Sequence, residues 1–441
     1  MTTIINDIAN KDASRRKDYS KFLNLYNGDQ WQGRARRGEK RLTFNYIKTA
    51  IDKMTSYLTD NMTIAVDPQL NSTTVTERAQ NAETVIARLM AALSLPSLIY
   101  NTEVDAAILG DGCYKVTWDD ARGRVRITAP DVQGIFVWTA PDDYNEVVQV
   151  AAQYPLPADS PSAKAPKRTE IWTEQAFEVW DNNALVTHSA NPYGFIPFIV
   201  FPNIARPKTP WGESDITGIE EPQKEINRAF SQLSHILEVS GNPIAVLENI
   251  AEAEDIAVKP GAVWALPEDA KAYLIDLLQG GGVRLHIDYI NMLYGAFHDI
   301  SETPKTAWAK DERDLSGVAL EIEMQPLIQR MKRKRLIRDK VYRTLFDYAL
   351  RLIQQHTGEI FDDVLPRVVW GSSLPRDKAR EIDNECRMIE KGLRSRVNSM
   401  EALGIPDPSA EFNNWLKERA LILAQTSKHG KPTGSDESAS A

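Results

Sequence analysis

The chain has 441 residues, with 52 Lys or Arg against 61 Asp or Glu and a net charge of −9. Its 42% hydrophobic and 26% charged residues are globular values that exclude wholesale disorder, and its length suggests about three domains. The acidic balance excludes a generic basic nucleic-acid coat, and two cysteines with six scattered histidines exclude a disulfide framework or a Cys/His metal cluster. So few cysteines suit a reducing compartment. No apolar run approaches the ~18 residues of a membrane span, and Met1 to Lys17 mixes charges where a secretory signal is apolar.

Residues 11–110 read mainly as helix. Phe22, Leu23, Leu25 and Tyr26 form a short apolar face before the turn Asn27-Gly28-Asp29. Arg34, Arg36, Arg37, Lys40 and Arg41 then crowd a loop that suits solvent or, as the sharper reading, phosphate. From Phe44 to Thr59, Ile47, Ile51, Met54 and Leu58 recur at 4-3-4 spacing, which predicts an amphipathic helix. Two more helices are predicted from Thr76 to Leu93 and from Leu98 to Leu109, the second stopped by Gly110 and Gly112.

Residues 113–200 switch to a period of two. Tyr114 to Trp118 and Val125 to Ile127 flank the turn Asp119 to Gly123 and predict a hairpin. Strand-like pieces at 134–138, 147–154, 170–173, 177–180 and 185–188 extend it into an antiparallel layer, with a mobile loop from Pro155 to Pro166. At Glu213-Ser214-Asp215 an N-cap and acidic first turn open a long helix, whose stripe is Ile219, Ile226, Phe230, Leu233 and Leu237. A second long helix, 283–300, carries Ile287, Ile290, Tyr294 and Phe297. Such narrow stripes suit a helix pair. Between them lies an insert with three predicted short strands at 244–247, 262–266 and 272–277. Its net charge over 241–282 is −5.

Ser301 to Leu315 is a polar loop interrupted by Pro304, in which Trp308 is the large apolar exception that suits a partner contact. The longest predicted helix, 317–356, holds Pro326 and should kink there. Its basic run of Arg330, Lys332, Arg333, Lys334, Arg335, Arg338 and Lys340 reads as a solvated face paired with Glu321, Glu323, Asp339 or neighbouring acids. Nucleic-acid contact is the alternative. A strand at 364–370, helices at 377–391, 399–403 and 409–423, and a small polar tail from Ser427 complete an α+β chain.

Catalytic motifs are missing: there is no P-loop, dinucleotide fingerprint, GxSxG elbow or HExxH. Asp119/Asp120 and Asp142/Asp143 fall in turns, where Asp is favoured for local hydrogen bonding. His286 and His298 stand more than three turns apart on one helix, and His235 on the other is a surface or packing residue. No enzyme activity, metal or cofactor is therefore expected.

The order of these elements resembles the portal proteins of tailed double-stranded DNA bacteriophages, of the siphophage type. The resemblance lies in Trp211-Gly212-Glu213-Ser214-Asp215-Ile216 before a long helix, and in Asp299, Ser301, Thr303-Pro304 and Leu315-Ser316-Gly317-Val318-Ala319-Leu320 before the basic helix. Phe44-Asn45-Tyr46-Ile47, Ile108-Leu109-Gly110-Asp111-Gly112, Ser372, Leu374-Pro375-Arg376-Asp377 and Ile389-Glu390-Lys391-Gly392-Leu393 are also similar. It covers about 15–425, and the order of motifs is its specific part.

The resemblance implies a ring of about twelve subunits at one capsid vertex, a channel for packaging and ejecting double-stranded DNA. A wing would comprise 1–213 and 317–372, and stem helices 214–240 and 281–300. The clip would be 241–280, the tunnel loop 301–316, the crown 373–426 and a disordered tail 427–441. Lys305, Trp308, Lys310 and Arg313 are the loop candidates to face DNA, and Glu248, Glu252, Glu254 and Asp255 the clip candidates to dock partners. Implied partners are the terminase large subunit, which supplies the ATPase, a head-tail adaptor, and the major capsid and scaffolding proteins, with no membrane. The acidic insert, repeated around such a ring, would repel phosphate and favour sliding over gripping. Competing readings are a metal-dependent DNA-processing enzyme using the basic loop 33–41, and another ring-forming capsid or tail component.

Overall fold

Helix α1 spans Ala13–Tyr26 and buries Tyr19, Phe22 and Leu25; of the face expected from the sequence, Phe22 and Leu25 are buried while Leu23 and Tyr26 are half-buried. Helix α2, Tyr46–Thr59, starts where the Asn45 side chain accepts the Lys48 N–H, and it buries Ile47, Ile51, Met54 and Leu58. Strand β1 (Thr63–Pro68) leads to α3 (Thr73–Ala92) and α4 (Leu95–Leu109). The last helix begins earlier than predicted because Pro96 sits in its first turn, where no N–H has to be donated. These elements belong to a computed structural model that describes residues 8, 11–31, 33–35, 39–157, 165–182, 184–241, 244–249, 269, 271–275, 282–307, 317–371, 378–405 and 408–429. It divides into two units, Met1–Ser373 and Leu374–Ala441.

In the first unit the expected antiparallel layer is two sheets. Strand β2 (Asp111–Asp119) lies between β3 (Arg124–Thr128) and β9 (Phe198–Pro202). The second sheet runs in chain order through β4 (Ile135–Thr139), β5 (Val147–Pro155), β6 (Lys167–Trp172), β7 (Ala176–Asp181) and β8 (Ala184–Ala190). Alternation along β2 divides the core. Cys113 joins one hydrophobic cluster with α1, α2 and the second sheet, while Tyr114 and Val116 join another with α3 and α4. Lys115 and Glu170 tie the two sheets at 2.5 Å.

Two long helices follow, α5 (Glu220–Gly241) and α6 (Gly282–Ser301), joined through β10 (Ile244–Glu248) and β11 (Lys271–Ile275). Those two strands pair antiparallel; the strand expected at 262–266 lies outside the described residues. The predicted longest helix breaks at Met324 into α7 (Gly317–Glu323) and α8 (Gln325–Thr357), with Pro326 in the first turn of α8. Strand β12 (Val364–Val369) then pairs antiparallel with β1.

The second unit comprises α9 (Lys378–Glu390), α10 (Arg396–Ala402) and α11 (Pro408–His429). The Ser395 side chain caps α10 by accepting the Asn398 N–H, and Arg394 pairs with Glu385 at 2.6 Å. The Arg396 and Arg419 guanidinium groups both lie over the Trp415 ring, 4.5 and 5.1 Å from its centre.

Candidate functional site

The α5/α6 pair is rooted at one end and bare at the other. Ile226 and Ala229 on α5, and Ile290 and Phe297 on α6, are buried, whereas Leu237 and Ile287 toward the β10/β11 hairpin are exposed. The root is held by a segment running alongside α5. Ser231 Oγ accepts the Leu42 N–H at 3.0 Å, Asn227 Oδ1 accepts the Phe44 N–H at 2.9 Å, and Gln223 Oε1 accepts the Tyr46 N–H at 3.1 Å. Residues 223, 227 and 231 are four apart and share one helix side, so their side chains supply the acceptors a strand partner would give. Sequence reasoning missed this ladder; its signal was the Gln-Asn-Ser repeat within the polar part of α5.

Beyond α6 the chain turns sharply, with Glu302 in the left-handed region at φ 53°. His298 is buried and its Nδ1 donates to the Thr303 carbonyl. Burial holds its pKa below the ordinary 6.5. Lys305 is exposed, on a single 3-10 turn (Lys305–Ala307), and its ammonium lies 4.8 Å from the centre of the Tyr294 ring. Trp308, Lys310 and Arg313 lie outside the described residues. In the hairpin, Glu248 is exposed and stands opposite Lys271 in register; Glu252, Glu254 and Asp255 lie outside the described residues.

The basic run on α8 is a solvated face at Lys332, Arg333 and Lys340, which are exposed, but its other side overturns that reading. Arg330, Lys334 and Arg338 are only 7%, 1% and 0% exposed. Four apart, they form one stripe turned into the protein. Asp215 accepts from Arg330 at 3.1 Å and Lys334 at 2.5 Å, and from the Asn203 amide at 2.8 Å. Arg338 is forked onto Glu103, with Nη2 at 2.7 Å, and donates to the Asn203 carbonyl at 2.6 Å. Tyr342 completes the Glu103 shell at 2.7 Å. Arg330 also donates to the Ser301 carbonyl at 3.2 Å, and Arg333 clamps Glu302 at 2.6 Å, so α8 holds the turn after α6. Asp339, an expected partner of the run, instead accepts the Trp370 indole N–H at 2.7 Å.

Glu213-Ser214-Asp215 therefore does not cap the long helix, which starts at Glu220. Ser214 Oγ donates to the Ile108 carbonyl at 2.5 Å, and the Asp215 N–H donates to Ala107 at 2.8 Å. Gly212 N–H donates to the Asp111 carboxylate at 2.7 Å, and Asn203 N–H to the Gly110 carbonyl at 2.7 Å. The two glycine-containing motifs read separately in the sequence are the halves of one backbone joint.

Burial raises the Asp215 carboxyl, but the Lys334 and Arg330 charges outweigh it and hold it well below its ordinary 3.8. Burial also lowers Lys334, to about 8, against the opposing Asp215 charge. A carboxylate with a depressed folded pKa contributes stability above its unfolded pKa and loses it as pH falls toward the folded one. Below pH 3.8, Asp215 should thus add about 1.4 kcal/mol per pH unit to the acid slope of unfolding. Asp215→Asn is expected to be less stable at neutral pH, with the two stability curves converging in acid; denaturant titrations across pH 2 to 6 read this out. Parallel curves would contradict it.

The model of the family described as "Phage portal protein, SPP1 Gp6-like" matches residues 5–422. The chain belongs to this family. No curated protein matches it. A phage portal protein serves the capsid and genome packaging, and the geometry above concerns what holds such a subunit in shape. Arg36 and Arg37 of the basic loop lie outside the described residues, while Lys40 pairs with Glu238 at 2.8 Å and Arg41 with Glu39 at 3.0 Å. Among the described residues no three His, Cys, Asp or Glu side chains converge as metal ligands.

Proposed function

We propose that this portal protein closes into a ring of about twelve subunits whose central channel passes double-stranded DNA, inward under the terminase motor and outward at ejection. The observation that carries the reading is a second apolar side on α6. Leu285 and Met292, seven residues apart on one side of the helix, are 72% and 63% exposed, while Ile290 and Phe297 fill the side packed inward. A helix with a buried stripe and a bare one needs a neighbour. A ring built from unlike surfaces of one subunit supplies it at every position.

On this reading α5 and α6 form the stem, the β10/β11 hairpin belongs to the clip at 241–280, and the loop 301–316 faces the channel. The wing is 1–213 with 317–372, and the crown 373–426. Lys305, with Trp308, Lys310 and Arg313, is a candidate to face DNA. Glu248, with Glu252, Glu254 and Asp255, is a candidate to dock the terminase large subunit and, later, the head-tail adaptor. The ring assembles in the host cytoplasm, meets the major capsid and scaffolding proteins, nucleates the capsid and sits at its portal vertex. It acts as a conduit, and the ATPase chemistry belongs to terminase.

Cryo-electron microscopy of the purified protein viewed end-on tests this. The expected result is a ring of about twelve subunits with an open centre. A monomer or compact dimer stable across concentration and salt would overturn it. Leu285→Lys with Met292→Lys should shift sedimentation toward monomer without loss of helical signal, because both side chains are exposed in the single subunit.

A further inference from the structure

One side of α8 is neutralised and another is bare. Lys332, Leu336 and Lys340 are four apart and share a side, which Arg343 continues. All four are exposed, Leu336 by 75%, and none of the three cations pairs with an acid among the described residues. Just before the break at Met324, α7 exposes an acid and an apolar residue side by side, Glu321 and Ile322, the latter by 66%. The two patches match in charge and in hydropathy. They cannot meet within one chain, because Leu336 lies twelve residues along α8 from Met324, roughly 18 Å of helix.

We infer that they meet between copies: Glu321 and Ile322 of one subunit dock on the Lys332–Leu336–Lys340 stripe of the next. The inference rests on the ring reading and specifies one of its lateral contacts. Two stripes of like charge would repel, which disfavours a two-fold pairing of the stripe with itself. Unlike patches meeting head to tail are what a closed ring uses. Nucleic acid suits the cations but leaves Leu336 without an apolar partner at the centre of the patch.

The test is Ile322→Cys with Leu336→Cys in full-length protein carrying Cys386→Ser, since Cys386 is exposed and Cys113 buried. Diamide oxidation should give a ladder of covalent multimers on a non-reducing denaturing gel, collapsed by reductant. Each single variant should stay monomeric there. A disulfide needs Cα atoms within about 7 Å, so closure inside one chain is out of reach. In a second arm, Glu321→Lys should raise the concentration for half-assembly about tenfold, and Lys332→Glu with Lys340→Glu in the same chain should restore it. If the wild type sediments as a ring but the double-cysteine protein gives no ladder, this contact is wrong and the ring reading stands. If the wild type is a monomer, both fall. Reversal of the lysines that leaves assembly intact and instead lowers DNA retention at low salt would assign the stripe to nucleic acid and overturn the inference.

Discussion

Glu103→Ala is expected to destabilise the protein by about 3–5 kcal/mol, because it leaves the Arg338 guanidinium buried without its counter-charge. Arg338 is fully buried and Glu103 is 1% exposed. All the guanidinium nitrogens of Arg338 are engaged, by Glu103, by the Pro202 and Asn203 carbonyls and by the Asn203 side chain. Lysine, with one nitrogen, cannot reproduce that fork, so Arg338→Lys should also lose stability. The penalty belongs to the unpaired charge and not to a large net value of the pair. Glu103→Leu with Arg338→Met should therefore recover most of the loss. Urea midpoints of the single and double variants decide it; additive losses in the double variant would show that packing, and not charge, sets the cost.

Gly212→Ala should match that effect through backbone geometry alone. A Cβ at Gly212 would stand 2.3 Å from the Gly110 carbonyl oxygen and 2.7 Å from the Asn203 nitrogen. Neither is the far end of a flexible side chain. Both belong to the joint between α4, β9 and the segment leading to α5, so the joint has to open, at about 3 kcal/mol or more. Gly295→Ala is the control. Gly295 lies inside α6 with nothing within 4 Å of its would-be Cβ, and alanine there should stabilise by about 0.5–1 kcal/mol. Thermal unfolding of the three proteins checks both signs at once.

Local patterns were readable wherever the structure answers to neighbours in the chain. The 4-3-4 spacing in α2, the hairpin around Asp119 to Gly123 and the paired stripes of α5 and α6 all depend on residues within a few turns of one another. What escaped reading depends on distant partners. Strand β1 has its partner β12 some 300 residues later, and its six residues alone do not stand out between two helices. The basic run misled because charge is visible in a sequence but its counter-charge is not: Asp215 lies 115 residues from Arg330, and Glu103 lies 235 from Arg338. One signal was present. The stripe Arg330, Lys334 and Arg338 continues at the same spacing into Tyr342 and Phe346, which marks that side of α8 as inward. Of the loop and clip candidates, only Lys305 and Glu248 fall among the described residues.

The distance between β1 and β12 has a consequence for how the subunit is made. A ribosome adding 5–20 residues per second needs roughly 15–60 s to travel from the end of β1 to the start of β12. Throughout that interval β1 is an unpaired edge, and within it Glu103 waits 235 residues for Arg338 and Asp215 waits 115 for Arg330. The nascent N-terminal region therefore cannot reach its final form early. Chains that terminate before α8 should be recognised as unfinished by proteases and chaperones, so that only completed subunits enter assembly.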